Sequence, residues 1–310
     1  KNMKILKFFV AVFAIFGVSV FAYGYLNENK VIDTLVDYYK RSPSTLINNE
    51  YKKDVNIDFI KLTDDFVPKN KDEVKNIYYT IIYSGMDDFT FYCDKEYKNC
   101  IDDIINVNDD TSLLSQMNNF VNVYNSFKSI KTTYTSSGKI TLHVERVYSS
   151  KDIERVKNRV NEIYDEIIDP NKTKEENIKK IHDYIINNTK YNKDDENKEE
   201  ITDSSTAIGP FFNGLATCNG YTDAASLLLD KIGVENLRIS NSNHIWNLVH
   251  LNNKWLHLDL TWDDPINNLD KDLLLHDYYL ITTSKLQNTN DEKDKIDHLF
   301  DSTIYNFIEE

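Results

Sequence analysis

Between Gly214 and Asp264 the apolar pattern changes its period once, and that change limits the folds open to the chain. The segment Gly214-Leu215-Ala216-Thr217-Cys218-Asn219-Gly220-Tyr221 runs into 222–232. There positions 221, 224, 225, 228 and 232 share one helical face, and Gly233 supplies the stop. Further on, His244 to His250 and Trp255 to Thr261 alternate like strands on either side of Leu251 and the turn pair Asn252-Asn253. This stretch predicts a helix followed by an antiparallel hairpin.

The same pattern sets three reactive side chains near one another. Cys218 stands at a predicted helix start, where unpaired N–H groups and the helix dipole favour an anion and so a reactive thiol. A buried, inert cysteine is the other reading. If Leu251 faces Lys254, then Trp246 opposes Asp259, His244 opposes Thr261, and His244 and Asp259 become diagonal neighbours. Diagonal Cβ atoms lie roughly 7 Å apart, a gap that two converging side chains close to a hydrogen bond. The carboxylate would then orient the imidazole, and the imidazole would serve as base to the Cys218 thiol. His250 and His257 fall on that face by parity, but no HxH or CxxC spacing accompanies them, so neither a metal nor a cofactor is expected. Trp246, Trp255 and Trp262 read as packing around the site, and Asp263 and Asp264, before Pro265, as turn formers. His182 reads as a hydrogen-bonded helix-face residue and His143 as one polar position in a strand.

Composition narrows the setting. There are 36 basic and 50 acidic residues, a formal charge of −14, so the electrostatic footprint of a nucleic-acid binder is missing. Near the start, Met3-Lys4-Ile5-Leu6-Lys7 precedes an uncharged stretch from Phe8 to Leu26 that includes the small-residue step Val20-Phe21-Ala22. That layout fits a secretory signal cleaved after Ala22, or a membrane anchor over residues 4–26. Both place the remainder outside the cytoplasm, secreted or held at the cell membrane. In an oxidising compartment Cys93 and Cys100, flanking the polar turn Asp94 to Asn99, are spaced to close a small disulfide loop. Two unpaired thiols are the alternative. Cys218 is then left without a partner, which invites a chemical explanation.

The remaining pattern gives an α+β chain in three parts: 1–26 as signal or anchor, 27–148 as a small α+β domain, and 149–310 as the part carrying the site. Helices are expected over 31–39, 72–84 and 112–127, and strands over 55–62, 89–93, 131–135 and 139–147, the last two as a hairpin through Ser136-Ser137-Gly138. Lys151 to Asp169 is helical by its apolar spacing, and Thr173 with Glu176 forms a capping box for the helix after it.

At Gly214–Tyr221, His244–Asn247 and Trp255–Asp264 the chain resembles the bacterial transglutaminase-like superfamily, whose motifs read G-x-G-x-C-x-G-Y, H-x-W-N and W-x-x-x-D-x-T-W-x-D. Ile181 to Tyr191 and Asp277 to Ile281 extend the likeness over about residues 150 to 290. The resemblance implies a papain-like fold with Cys218 as nucleophile, His244 as base and Asp259 as orienter. Two positions depart from the motifs: Ala216 stands where glycine is common, and Leu260 where proline is common. The implied reaction is acyl transfer on peptide or glutamine amides, with hydrolysis favoured over crosslinking and no cofactor. Its partner would be a protein or peptide substrate at the cell surface, and the membrane through the N-terminal segment if uncleaved. A crosslinking transglutaminase and a non-catalytic surface module that keeps the fold are the rival readings. Trp246, Tyr221 and Asn213 are the candidate substrate-binding residues, and Asn213 and Tyr191 the candidate second oxyanion donors.

Overall fold

Helix α1 (Lys71–Tyr83) begins where Asn70 accepts the Glu73 N–H and ends at Gly85, whose φ of 69° turns the chain away. In this computed structural model, which describes residues 43–47, 49–53, 57–196, 198, 200–265 and 273–308, α1 packs on an antiparallel sheet of order β1-β3-β2. The strands are β1 (Asp88–Tyr92), β2 (Phe127–Tyr134) and β3 (Lys139–Arg146). Helices α2 (Cys100–Asp109) and α3 (Thr111–Asn119) connect β1 to β2. The Cys93 and Cys100 sulfurs are joined in a disulfide. The segment 1–26 and the helix expected over 31–39 lie outside the described residues. Among those described, no helix is long and apolar enough to cross a membrane.

Two expectations in this half need correction. The described part of 55–62 is not a strand. The Lys61 and Thr63 N–H groups donate to Asn76 and Thr80 side chains of α1, so polar groups of a helix take the place of a ladder. The helix expected to reach residue 127 stops at Asn119. Beyond it the Asn122 side chain accepts the Tyr124 N–H and begins a single 3₁₀ turn, Val123–Asn125.

The second half starts with α4 (Ser150–Ile167) and α5 (Lys174–Asn187), each opened by a capping box, Ser149 with Asp152 and Thr173 with Glu176. A short parallel pair, β4 (Lys190–Tyr191) and β5 (Leu215–Ala216), leads into α6 (Cys218–Lys231), which is buried continuously from Gly220 to Leu229. An antiparallel sheet follows in order: β6 (Asn236–Ser240), β7 (Ile245–Leu251) and β8 (Lys254–Leu258). Leu251 pairs with Lys254 and Asn247 with Leu258, and the turn residues Asn252 and Asn253 both have positive φ, 53° and 61°, as a tight hairpin of this twist needs. After β8 come the short helices α7 (Leu260–Asp263), α8 (Thr283–Gln287) and α9 (Glu292–Asp297).

This second sheet faces two cores. Leu237, Ile239, Trp246 and Leu248 pack with the apolar residues of α1 and the first sheet. Val249, Leu251 and Leu258, of opposite parity on β7 and β8, pack with α4, α5 and α6. A buried ion pair, Arg238 with Asp223 at 3.0 Å, ties β6 to α6, and Arg238 also donates to Ser126 Oγ at 2.9 Å from the first half. The hairpin that carries the candidate residues is therefore fixed on both faces.

Candidate active site

Helix α6 brings its N-terminus to the floor of a cleft of about 1080 Å³. Thr217, before it, is extended, donates its N–H to Ser204 O at 2.8 Å and does not cap the helix with its side chain. That close approach requires Gly220, since a Cβ there would stand 2.3 Å from Ser204 O and 3.1 Å from the Ala216 methyl. Ala216 is itself fully buried, so its methyl packs beneath the helix start and leaves the approach to Cys218 unchanged. Leu260, the other departure, is the first residue of α7 and is buried in the second core. Cys218 is half-buried, is the free cysteine of the described residues, and lines the cleft with His244, Tyr191, Thr261 and Trp262.

His244 stands just before β7, its N–H held by Asn241 Oδ1 at 3.0 Å. The same Asn241 amide donates to the carbonyls of Ile296, Asp297 and Leu299, so one side chain joins the histidine turn to the C-terminal segment. The ring Nε2 meets Asp259 Oδ2 at 2.5 Å, with both residues buried. Since Nε2 is taken, the hydrogen bond between the ring and Cys218 falls to Nδ1. Burial disfavours a charged ring, but the Asp259 carboxylate and then the Cys218 contact outweigh it, and His244 is pushed up to about 10. Trp246 stacks on the imidazole, centroids 5.7 Å apart and planes 13° from parallel.

Asp259 spends both oxygens. Oδ1 accepts the N–H groups of Thr261 at 2.9 Å and Trp262 at 3.2 Å, which caps α7. Oδ2 receives His244 and, at 2.9 Å, Nε2 of His298. Burial opposes its charge, yet His244 first and His298 next hold the carboxyl well below the usual carboxylate range. His298 was not found by sequence reasoning. It lies just past α9, its Nδ1 meets Asp294 Oδ1 at 2.5 Å, and Asp294 also accepts the Tyr278 hydroxyl at 2.8 Å. The i, i+4 spacing of Asp294 and His298 was the available signal.

The expected substrate-binding residues are not on the cleft. Trp246 is 1 % exposed and gives its indole N–H to His257 Nδ1 at 3.0 Å. Tyr221 is equally buried, its hydroxyl on Asp264 Oδ2 at 2.5 Å. Asn213 donates its amide to Asp203 at 3.0 Å and does not line the cavity. Stacking and buried hydrogen bonds claim Trp246 and Tyr221, an exposed bond to Asp203 holds Asn213, and Trp262 is the tryptophan that the cleft presents. Of the two expected oxyanion donors only Tyr191 lines the cleft. Burial, then the nearby Cys218, raise its phenol, which keeps its proton and gives it to Glu196 Oε1 at 3.2 Å. Asp263 is likewise more than a turn former, since it is fully buried and holds His182 Nε2 at 3.1 Å and the Tyr278 N–H at 3.0 Å.

His182, Asp183 and His276 also bring nitrogen and oxygen atoms together, and Lys179 Nζ sits on both Asp183, at 2.7 Å, and His276, at 2.8 Å. His257 is pushed down to about 3 by burial and next by His298, so its ring is neutral. We assign no metal to these groups.

A half-buried thiol at a helix start, an imidazole against it and a buried carboxylate behind are the arrangement of the papain-like cysteine proteins as a class. Residues 161–260 match the family model described as the transglutaminase-like superfamily. No curated protein matches the sequence. Similar solved structures include a TGase, 13% identical over 47% of this chain and 47% of that one, with a TM-score of 0.34. A candidate cysteine protease from Cytophaga hutchinsonii is 11% identical over 43% of this chain and 61% of its own, with a TM-score of 0.29. A candidate protease from Parabacteroides distasonis is 11% identical over 43% of this chain and 36% of its own, with a TM-score of 0.25. The chain thus spans about half the length of the first of these and less than two thirds of the others.

Proposed function

We propose that the protein is an extracytoplasmic, cysteine-dependent acyl-transfer enzyme that acts on peptide or glutamine amides, with water as its preferred acceptor. The observation that carries the reading is the 2.5 Å bond between His244 and Asp259 behind a Cys218 that opens on the cleft. The Cys218 sulfur attacks the amide carbonyl, and the negative charge on the carbonyl oxygen meets the Cys218 backbone N–H at the start of α6. His244 passes its proton to the departing amine and a thioester remains. Water, deprotonated by His244, then attacks the thioester, releasing the acid and returning the thiol.

Hydrolysis is favoured because the cleft is wide and rimmed by charged side chains such as Lys193, Glu196 and Asp297, so water reaches the thioester as readily as an amine does. The joined Cys93 and Cys100 sulfurs support a setting outside the cytoplasm. The test is to incubate the protein with a glutamine-containing peptide, casein and a tagged amine, and to read cleavage and tag incorporation together. Cleavage that disappears in Cys218→Ser supports the proposal. Cys218-dependent incorporation without cleavage would move the enzyme to the crosslinkers, and neither product would leave a non-catalytic module.

A further inference from the structure

His298 is held in a way that a neutral imidazole does not satisfy. A neutral ring has one N–H and one lone pair, whereas both nitrogens of His298 face oxygen acceptors. Nε2 meets Asp259 Oδ2 at 2.9 Å, and Nδ1 meets Asp294 Oδ1 at 2.5 Å and the Asp294 carbonyl at 3.2 Å. The ring is 3 % exposed, so water does not stand in for a missing donor. Around it Tyr278 stacks with centroids 5.2 Å apart, Trp262 lies tilted at 5.3 Å and Trp246 stands perpendicular at 5.1 Å. The face of the stacked Tyr278 ring is the environment that stabilises a cation.

We propose that His298 is a buried imidazolium, clamped between Asp259 and Asp294, and that it is a positioning residue which tempers the hold of Asp259 on the His244 proton. The inference rests on the reading of Cys218, His244 and Asp259 as the reacting set. The groups that face the ring are Asp259 from the β8–α7 junction, His244 before β7, Asp294 of α9 and Tyr278; His257 of β8 lies close by and is neutral. A carboxylate that serves one imidazolium alone would hold its proton tightly and slow its transfer to the leaving amine. A second cation on the same oxygen divides that charge. It also crowds the His244 ring, 5.5 Å away, with a like charge.

Two measurements test this, and they fail independently. Nitrogen-15 histidine spectra of the unaltered protein at pH 7 should show both His298 ring nitrogens bearing protons. One protonated and one bare nitrogen would overturn the proposal whatever becomes of the enzymatic reading. In His298→Gln, which can still donate to Asp259, the alkaline limb of Cys218 alkylation should move up by about one pH unit, the low end of the effect of a neighbouring charge, and amide turnover at pH 7 should fall about tenfold. Asp294→Asn, which weakens the clamp and spares the ring, should move the limb in the same direction by less. A lower unfolding midpoint with an unmoved limb in both variants would mean that His298 only packs.

Discussion

Asp259→Asn separates the chemical role of the carboxylate from its structural one. The amide oxygen can keep the two N–H bonds that cap α7, now at 2.9 and 3.2 Å, because asparagine caps as well as aspartate. The amide NH₂ then replaces the oxygen that receives His244 at 2.5 Å and His298 at 2.9 Å, so donors meet donors. His244 relieves the conflict by turning a lone pair to Nε2, which puts its proton on Nδ1, toward the sulfur. An imidazole in that tautomer accepts no proton from Cys218. Turnover should fall about 10⁴-fold, the size of the effect when a triad carboxylate becomes an amide with its geometry intact. Stability should fall by about 3 kcal/mol, the lower end for a broken buried pair. The assay is amide turnover at pH 7 alongside urea unfolding of the same preparation. A folded variant that retains turnover within tenfold of the parent would refute the orienting role.

Two further outcomes follow from the same structure. His244 is pushed up to about 10, above an unfolded value near 6.5, so its charge stabilises the fold fully below about pH 6.5 and that contribution is lost as pH rises through 10. Between pH 6.5 and 10 the parent should therefore lose a few kcal/mol more than His244→Ala in urea unfolding, and parallel curves would contradict the shift. The Cys93–Cys100 disulfide closes a sequence separation of 7, for which chain entropy gives about 2.5 kcal/mol, so the double serine variant should unfold at lower urea, with an unchanged midpoint as the contrary result.

What the sequence disclosed and what it hid divide along range. The hairpin register was readable because Asn252 and Asn253 tolerate positive φ and Leu251 and Lys254 flank them, and that register alone places His244 beside Asp259. The helix behind Cys218 was readable because its apolar period is long and Gly233 ends it. Helix α2 was not, since Cys100, Ile104 and Val107 are its only fully buried positions and Asp102, Asp103, Asn106 and Asn108 interrupt the apolar run. His298 reaches Asp259 from a short segment some forty residues away, fixed by Asn241 and Tyr278 rather than by any period, so the i, i+4 spacing of Asp294 and His298 pairs those two but gives no sign of the contact with Asp259. The burial of Trp246 and Tyr221 was equally hidden, because whether an aromatic ring lines a cleft or a core depends on which sheet face the first half covers.

The most direct measurement of the central claim is the rate at which iodoacetamide labels Cys218 as a function of pH, in the parent and in His244→Ala. With an imidazolium against the sulfur, the parent should label readily at pH 6, and the variant should label at least tenfold more slowly there and rise only toward alkaline pH as a free thiol does. Superimposed profiles would contradict the account.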